Sequence, residues 1–190
     1  YNVPDYFGKL RWTYYRTKTE SHNTIQIDGA DQDTFARAII ARHRFRPNFA
    51  FVQVDLSKTY PGKFKRFDRG IALLNRKQVV VQDEFNATRP VEALWGMVTD
   101  ADVKLEGQKA ELRKGEWIMA AEILTPAGAR FDTVSTQAPP GQTGNGNTRK
   151  LVVRLHGKTA DLRLAVALTP YRAGQPKPEL DWKDRAVARW

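Results

Sequence analysis

The 190-residue sequence contains no cysteine, which excludes disulfides and thiolate metal sites. An oxidising compartment stays open, because such compartments permit disulfides without requiring them. No apolar run approaches the ~18 residues needed to cross a bilayer as a helix, so no membrane partner is expected, and no signal peptide is visible. The chain begins at Tyr1 and not at Met, as a processed chain or a piece of a longer one does. Histidine is scarce: His22, His43 and His156 are the only three. None stands at the spacings of known zinc motifs, so a zinc site built wholly from this chain is not expected. Helical 3.6-residue periodicity is almost absent. So are the signatures of RNA-recognition, helix-turn-helix and zinc-finger modules, so no nucleic-acid partner is expected and that reading rests on charge alone.

What is present is positive charge. Lys and Arg number 31 against 21 Asp and Glu, a net +10. Such a field concentrates polyanions, whether nucleic acid, acidic polysaccharide or anionic membrane. The charge is interspersed, which argues against a disordered basic arm. Arg42-His43-Arg44-Phe45-Arg46 puts three arginines on one face of a predicted strand, and Lys63, Lys65, Arg66 and Arg69 form a second basic group. Guanidinium forks bind carboxylate or sulfate in two-point fashion, and an ordinary solvated strand face explains the pattern equally well.

After an irregular opening with Pro4 and Gly8, most of the chain from Trp12 reads as strands: 35–45, whose alanines also allow a helix, then 49–56, 63–74, 78–85, 91–98, 103–105, 110–112 and 117–124. Alternation of apolar and polar residues within these runs means one wet and one buried face. Residues 137–148, QAPPGQTGNGNT, form a surface loop. Leu151–Leu155 and Leu162–Leu168 read as a hairpin across Gly157-Lys158. Asp83-Glu84 faces opposite ways on a strand, and a turn at a strand end is the expected place for it. The fold class is all-β, an antiparallel β-sandwich over 1–172. A Pro-containing tail, 173–190, is expected to pack on the sandwich or on a neighbouring domain through its tryptophans.

Chemistry-bearing residues are densest between Trp12 and Gln32, WTYYRTKTESHNTIQIDGADQ. His22 sits among Ser21, Asn23 and Thr24, where a neutral imidazole serves as a base or ligand or as a plain hydrogen-bonded surface residue. Tyr6, Tyr14 and Tyr15 are useful as acids or bases only beside a cation, which Arg11, Arg16 or Lys18 can supply. Aromatic packing is the competing role.

The run YYRTKTESHNTIQIDGADQ resembles the His-Asn-Thr segment of the heparinase II/III-like polysaccharide lyases, the family of heparin, heparan and alginate lyases. Arg16, Thr17 or Thr19, His22-Asn23-Thr24, Asp28-Gly29 and Gln32 carry the likeness, with more diffuse agreement at VVVQDEF, VKLEG and EILTP downstream to about residue 170. The resemblance implies the C-terminal β-sheet part of an enzyme whose N-terminal α/α-toroid lies upstream and is the sandwich's partner. It implies β-elimination of an acidic, uronic-acid polysaccharide in a bacterial periplasm or outside the cell. It also implies a catalytic Tyr6 and His22, with substrate contacts at Arg16, Asn23, Arg42 and Arg44. Zinc is implied as a structural ion held by His22, its other ligands, a His and an Asp, lying outside this chain. Without the toroid residues the chain alone is expected to be inactive. The rival expectation is a non-catalytic glycan-binding module using Arg42, Arg44 and Arg46.

Overall fold

The computed structural model describes residues 3–190 and is nearly all strand. Three single-turn 3-10 segments, Arg11–Thr13, Tyr15–Thr17 and Thr19–Ser21, occupy the stretch between Gly8 and the first strand. Twelve strands follow: β1 Ile25–Ile27, β2 Ile39–Phe45, β3 Phe49–Asp55, β4 Phe64–Leu74, β5 Gln78–Val91, β6 Ala93–Thr99, β7 Asp102–Glu106, β8 Lys109–Lys114, β9 Trp117–Thr125, β10 Arg130–Ser135, β11 Arg149–Arg154 and β12 Thr159–Arg172. They form a four-stranded sheet, ordered β1-β6-β11-β10, and an eight-stranded sheet, ordered β2-β3-β4-β5-β12-β9-β8-β7. All the pairings are antiparallel. The expected β-sandwich is present.

Two expectations need correction. Residues 151–155 and 162–168 do not pair as a hairpin. β11 pairs with β10 and β6 in the small sheet, while β12 lies between β5 and β9 in the large one. Both strands bury an alternating apolar face in the same core, so their pattern cannot distinguish a hairpin from a crossing between layers. Asp83-Glu84 is no turn either. β5 runs unbroken through it, and both carboxylates are buried and paired with arginines. β10 was not anticipated at all, because FDTVS carries little apolar alternation.

The core between the sheets is supplied by alternate residues, as the pleat requires. Ile25, Ile27, Trp95, Leu151, Val153 and Phe131 of the small sheet meet Phe64, Phe67, Phe85, Leu164 and Val166 of the large one. Phe64 lies 5.1 Å from both Phe67 and Phe85, ring centre to ring centre. A second apolar cluster lies on the other face of the large sheet. There Val187 and Trp190 of the tail pack on Phe51, Ala72, Leu74, Val80, Ala165 and Ala167. Gly70 permits this: a Cβ there would stand 2.6 Å from the Trp190 ring. Glu84 takes the Val187 amide at 3.0 Å, and Gln82 donates to the Arg185 carbonyl at 2.8 Å.

Candidate functional site

The segment that carries the candidate residues is fastened to the sandwich by polar bonds. Asn23 Oδ1 accepts from the Val98 amide at 2.8 Å, and the Thr24 carbonyl accepts from Gly96, so the His-Asn-Thr run continues the β1–β6 ladder. The Asn23 carbonyl accepts from Arg69, whose guanidinium grips Asp83 through two bonds of 2.8 Å. Burial works against the Arg69 charge, and the adjacent Asp83 carboxylate more than restores it. Tyr60 donates from the core to the Ile25 carbonyl at 3.0 Å, and its burial pushes the phenol far up from its ordinary value. Thr19 bonds Asp31 through its amide and Gln32 through its hydroxyl. Asp28, held low by Lys63 at 2.7 Å, accepts the Glu92 amide and fixes the turn that ends β1.

Within this frame the structure gathers Val3, Tyr6, Tyr14, Arg16, Gln142 and Thr143 around one small cleft of about 20 Å³. One wall is the N-terminal segment and the other is the 137–148 loop. Arg16 joins them, donating to the Gly144 carbonyl at 2.7 Å and to Asn145 Oδ1 at 3.2 Å. The Tyr15 amide donates to Gln142 Oε1 at 2.8 Å. The Tyr6 and Tyr14 rings stack with centres 6.3 Å apart, and Tyr14 donates to the Pro4 carbonyl. The Arg11 guanidinium lies 5.2 Å from the centre of the Tyr6 ring. Tyr15 is turned into the interior, where burial and Glu20 raise its phenol, so Tyr6 and Tyr14 are the two cleft phenols.

Of the residues singled out in the sequence, Tyr6 and Arg16 come together here. His22 is exposed, with Nδ1 2.8 Å from the Lys18 carbonyl and 3.1 Å from Ser21 Oγ. A carbonyl only accepts, so Nδ1 carries the proton and Nε2 is the basic nitrogen. This is the arrangement in which an imidazole serves as an Nε2 ligand or base. Among the described residues no group of three or more His, Asp or Glu side chains converges to hold a metal. The described residues therefore present no ligand set for zinc, and no chemistry is routed through such an ion. Asn23 uses its side chain on the backbone of β6. Arg42 and Arg44 stand on β2, the first strand of the large sheet, and neither lines the cleft. Arg42 donates to the Ala188 and Trp190 carbonyls and stacks over Phe51, so it fastens the tail. The second basic group is largely neutralised by its own neighbours: Lys63 by Asp28, Arg66 by Asp68 and Glu84, Arg69 by Asp83.

Sequence reasoning missed Lys150, which is 3% exposed and donates to the Glu20 carbonyl at 2.8 Å. Its stem crosses Gly96, where a Cβ would come within 2.1 Å of it. Burial lowers its ammonium to about 8, against the opposing pull of Glu20. A lysine at the head of an unbroken apolar run was the available signal, since β11 reads Arg-Lys-Leu-Val-Val-Arg and is buried from Lys150 to Val153. It also missed Gln142, Thr143 and Asn145, because a Gly- and Pro-rich loop reads as slack until its partners are known.

The family profile described as "Heparinase II/III-like, C-terminal" matches residues 3–183. The chain belongs to this family. Solved structures with the same fold include heparan sulfate lyase HepC from Pedobacter heparinus, 12% identical, covering 85% of this chain and 26% of that one, TM-score 0.69. A mutant of the same lyase is 14% identical over 94% of this chain and 28% of its own, also with a TM-score of 0.69. A heparinase III structure is 12% identical over 86% and 26%, TM-score 0.67. The chain thus spans about a quarter of the length of these lyases. A comparison with curated proteins finds no match.

Proposed function

We propose that this heparinase II/III-like domain is the β-sandwich portion of a polysaccharide lyase that cleaves an acidic, uronic-acid polysaccharide by β-elimination. The observation that carries the reading is the family match over nearly the whole chain, joined to a cleft that sets two phenols beside Arg16 and Arg11. In this reaction a base removes the C5 proton of the uronate, the electron pair forms a C4–C5 double bond, and the C4–O bond breaks with protonation of the departing oxygen. Arg16 meets the uronate carboxylate, whose neutralisation makes the C5 proton removable. Tyr6 is the base: the Arg11 cation beside its ring favours the phenolate, which takes the C5 proton and becomes a neutral phenol, while the negative charge develops on the uronate beside Arg16. His22, through Nε2, orients the junction with the helical domain or supplies one ligand to a structural zinc. Heparan sulfate, the substrate named for HepC, and other glycosaminoglycans are the first polymers to test, with alginate as comparison. A periplasmic or extracellular setting goes with such substrates.

The isolated chain lacks a second catalytic wall and is inactive on this reading. The test is an ultraviolet assay for unsaturated uronate ends. Purified 190-residue chain is expected to give no product, while an enzyme carrying this domain together with a helical domain turns over. Tyr6→Phe in that enzyme lowers kcat by about 10²–10⁴. Robust turnover by the isolated chain, or full activity of Tyr6→Phe, overturns the assignment.

A further inference from the structure

β2 is the first strand of the eight-stranded sheet, and all seven of its residues are exposed. Its register tells which backbone groups are spent. Arg46 and Phe49 exchange both of their main-chain bonds at the hairpin, so the hydrogen-bonded positions of the pair fall on Arg46, Arg44 and Arg42. The N–H and C=O of His43 and Phe45 therefore point to the open edge. The same register sorts the side chains. Arg42 and Arg44 share the tail-covered face with Phe51 and Gln53, while Ile40, His43 and Phe45 share the other face with Val52, Ala50, Ile71 and Leu73.

That second face is an apolar apron. Phe45 is 71% exposed and Ile40 63%, with Ile71 and Leu73 at 40% each. At the hairpin tips it deepens into a hollow of about 410 Å³ floored by Phe45, Ala50 and Leu73, with Arg46 and Arg76 at its rim. No acidic residue occurs from Thr34 to Val54 or from Arg69 to Gln82. Among the described residues neither Arg44 nor Arg46 pairs with a carboxylate.

We infer that β2 is the docking edge for an extended polypeptide segment in which apolar and acidic residues alternate. The partner adds a ninth strand to the sheet. Its main chain satisfies His43 and Phe45, its acidic side chains lie beside Arg44, and its apolar side chains continue the apron beside Phe45. A second copy of this chain fits poorly, because two-fold pairing of β2 sets arginine against arginine on one face. A lipid surface supplies no in-register hydrogen bonds, and a sulfated glycan supplies nothing for the aliphatic floor.

The test uses the 190-residue protein and a capped peptide of about seven residues alternating Val and Glu, with the Val/Lys peptide as control. Hydrogen exchange and fluorescence anisotropy are read together. The expected result is slowed exchange at the His43 and Phe45 amides with the Glu peptide only. His43→Pro removes an edge N–H that no strand uses, so the melting temperature holds while affinity falls about tenfold or more. The exposed double change Arg44→Glu with Arg46→Glu shifts preference to the Lys peptide and serves if the proline variant does not fold. Absence of protection at high peptide concentration, equal protection by both peptides, or tighter binding to phosphatidylserine vesicles or heparin that survives His43→Pro overturns the inference.

Discussion

The two halves of β4 share a pattern and differ in what covers them. From Phe64 to Arg69 the face that carries Phe67 and Arg69 looks into the sandwich, where Phe67 is fully buried and Arg69 meets Asp83. From Gly70 to Leu74 the same face carries Ile71 and Leu73 and is exposed. Here the opposite face, with Gly70, Ala72 and Leu74, is the buried one, beneath Val187 and Trp190. The eight-stranded sheet is wider than the four-stranded one, so its margin overhangs, and the tail covers the overhang from behind. Charges follow the same division. Asp68, Asp83 and Glu84 lie in the covered half with their arginines, and the overhanging half has no acidic residue. A strand can thus change its buried side midway without any break in its hydrogen bonding.

The largest effect expected from this division is at Asp83. Asp83→Ala leaves the Arg69 guanidinium, itself only 13% exposed, unpaired between the sheets. Stranding one partner of a buried pair costs about 3–5 kcal/mol, read as a lowered urea midpoint. Because Arg69 also holds the Asn23 carbonyl, exchange of the backbone amides around residues 22–24 should quicken as well. A loss below about 1 kcal/mol means that the pair behaves as a surface one and that the division is not real.

A smaller loss is expected at Gly70, where the buried side changes over. Gly70→Ala drives a methyl against the Trp190 ring at 2.6–2.7 Å and against Val187 at 2.9 Å. Overpacking of this kind costs about 1–3 kcal/mol. Its signature is a red-shifted tryptophan emission as the tail lifts, with the sandwich core intact. Unchanged emission breaks the claim that Gly70 is what lets the tail lie down.

How much of this was legible in the sequence follows from the physics of alternation. A period of two identifies strands and their faces, which is why β3, β4, β8, β9 and β12 were found near their places. It does not say which layer a strand joins, and β11 and β12 were therefore mispaired. It does not say which face a neighbouring layer covers, so Ile71 and Leu73 gave no sign of being exposed while Phe67 is not. The His-Asn-Thr block was legible because a short polar run ahead of Ile25-Gln26-Ile27 is distinctive. The cleft was only half legible. Tyr6 and Arg16 lie close in the chain, but Gln142 and Asn145 reach them across about 130 residues. Buried Lys150 needed the missing side chain of Gly96, on another strand, to make room for it.

The smallest effect separates the two halves of β4 most sharply. Phe67 and Leu73 lie on one face of one strand, and truncating each to alanine tests whether covering alone sets the cost. Phe67→Ala removes a ring in contact with Phe64 and Phe85 and should cost about 3–5 kcal/mol. Leu73→Ala removes a side chain that borders solvent, and should stay within about 0.5 kcal/mol. The pair is measured by denaturation at several protein concentrations. A concentration-independent result with that contrast keeps the overhang open in the free chain. If Leu73→Ala instead costs as much as a core truncation, and the loss grows with protein concentration, then copies of the chain cover the apron themselves. The arginines of β2 would in that case be tolerated at a self-interface, and the acidic partner strand would lose its place.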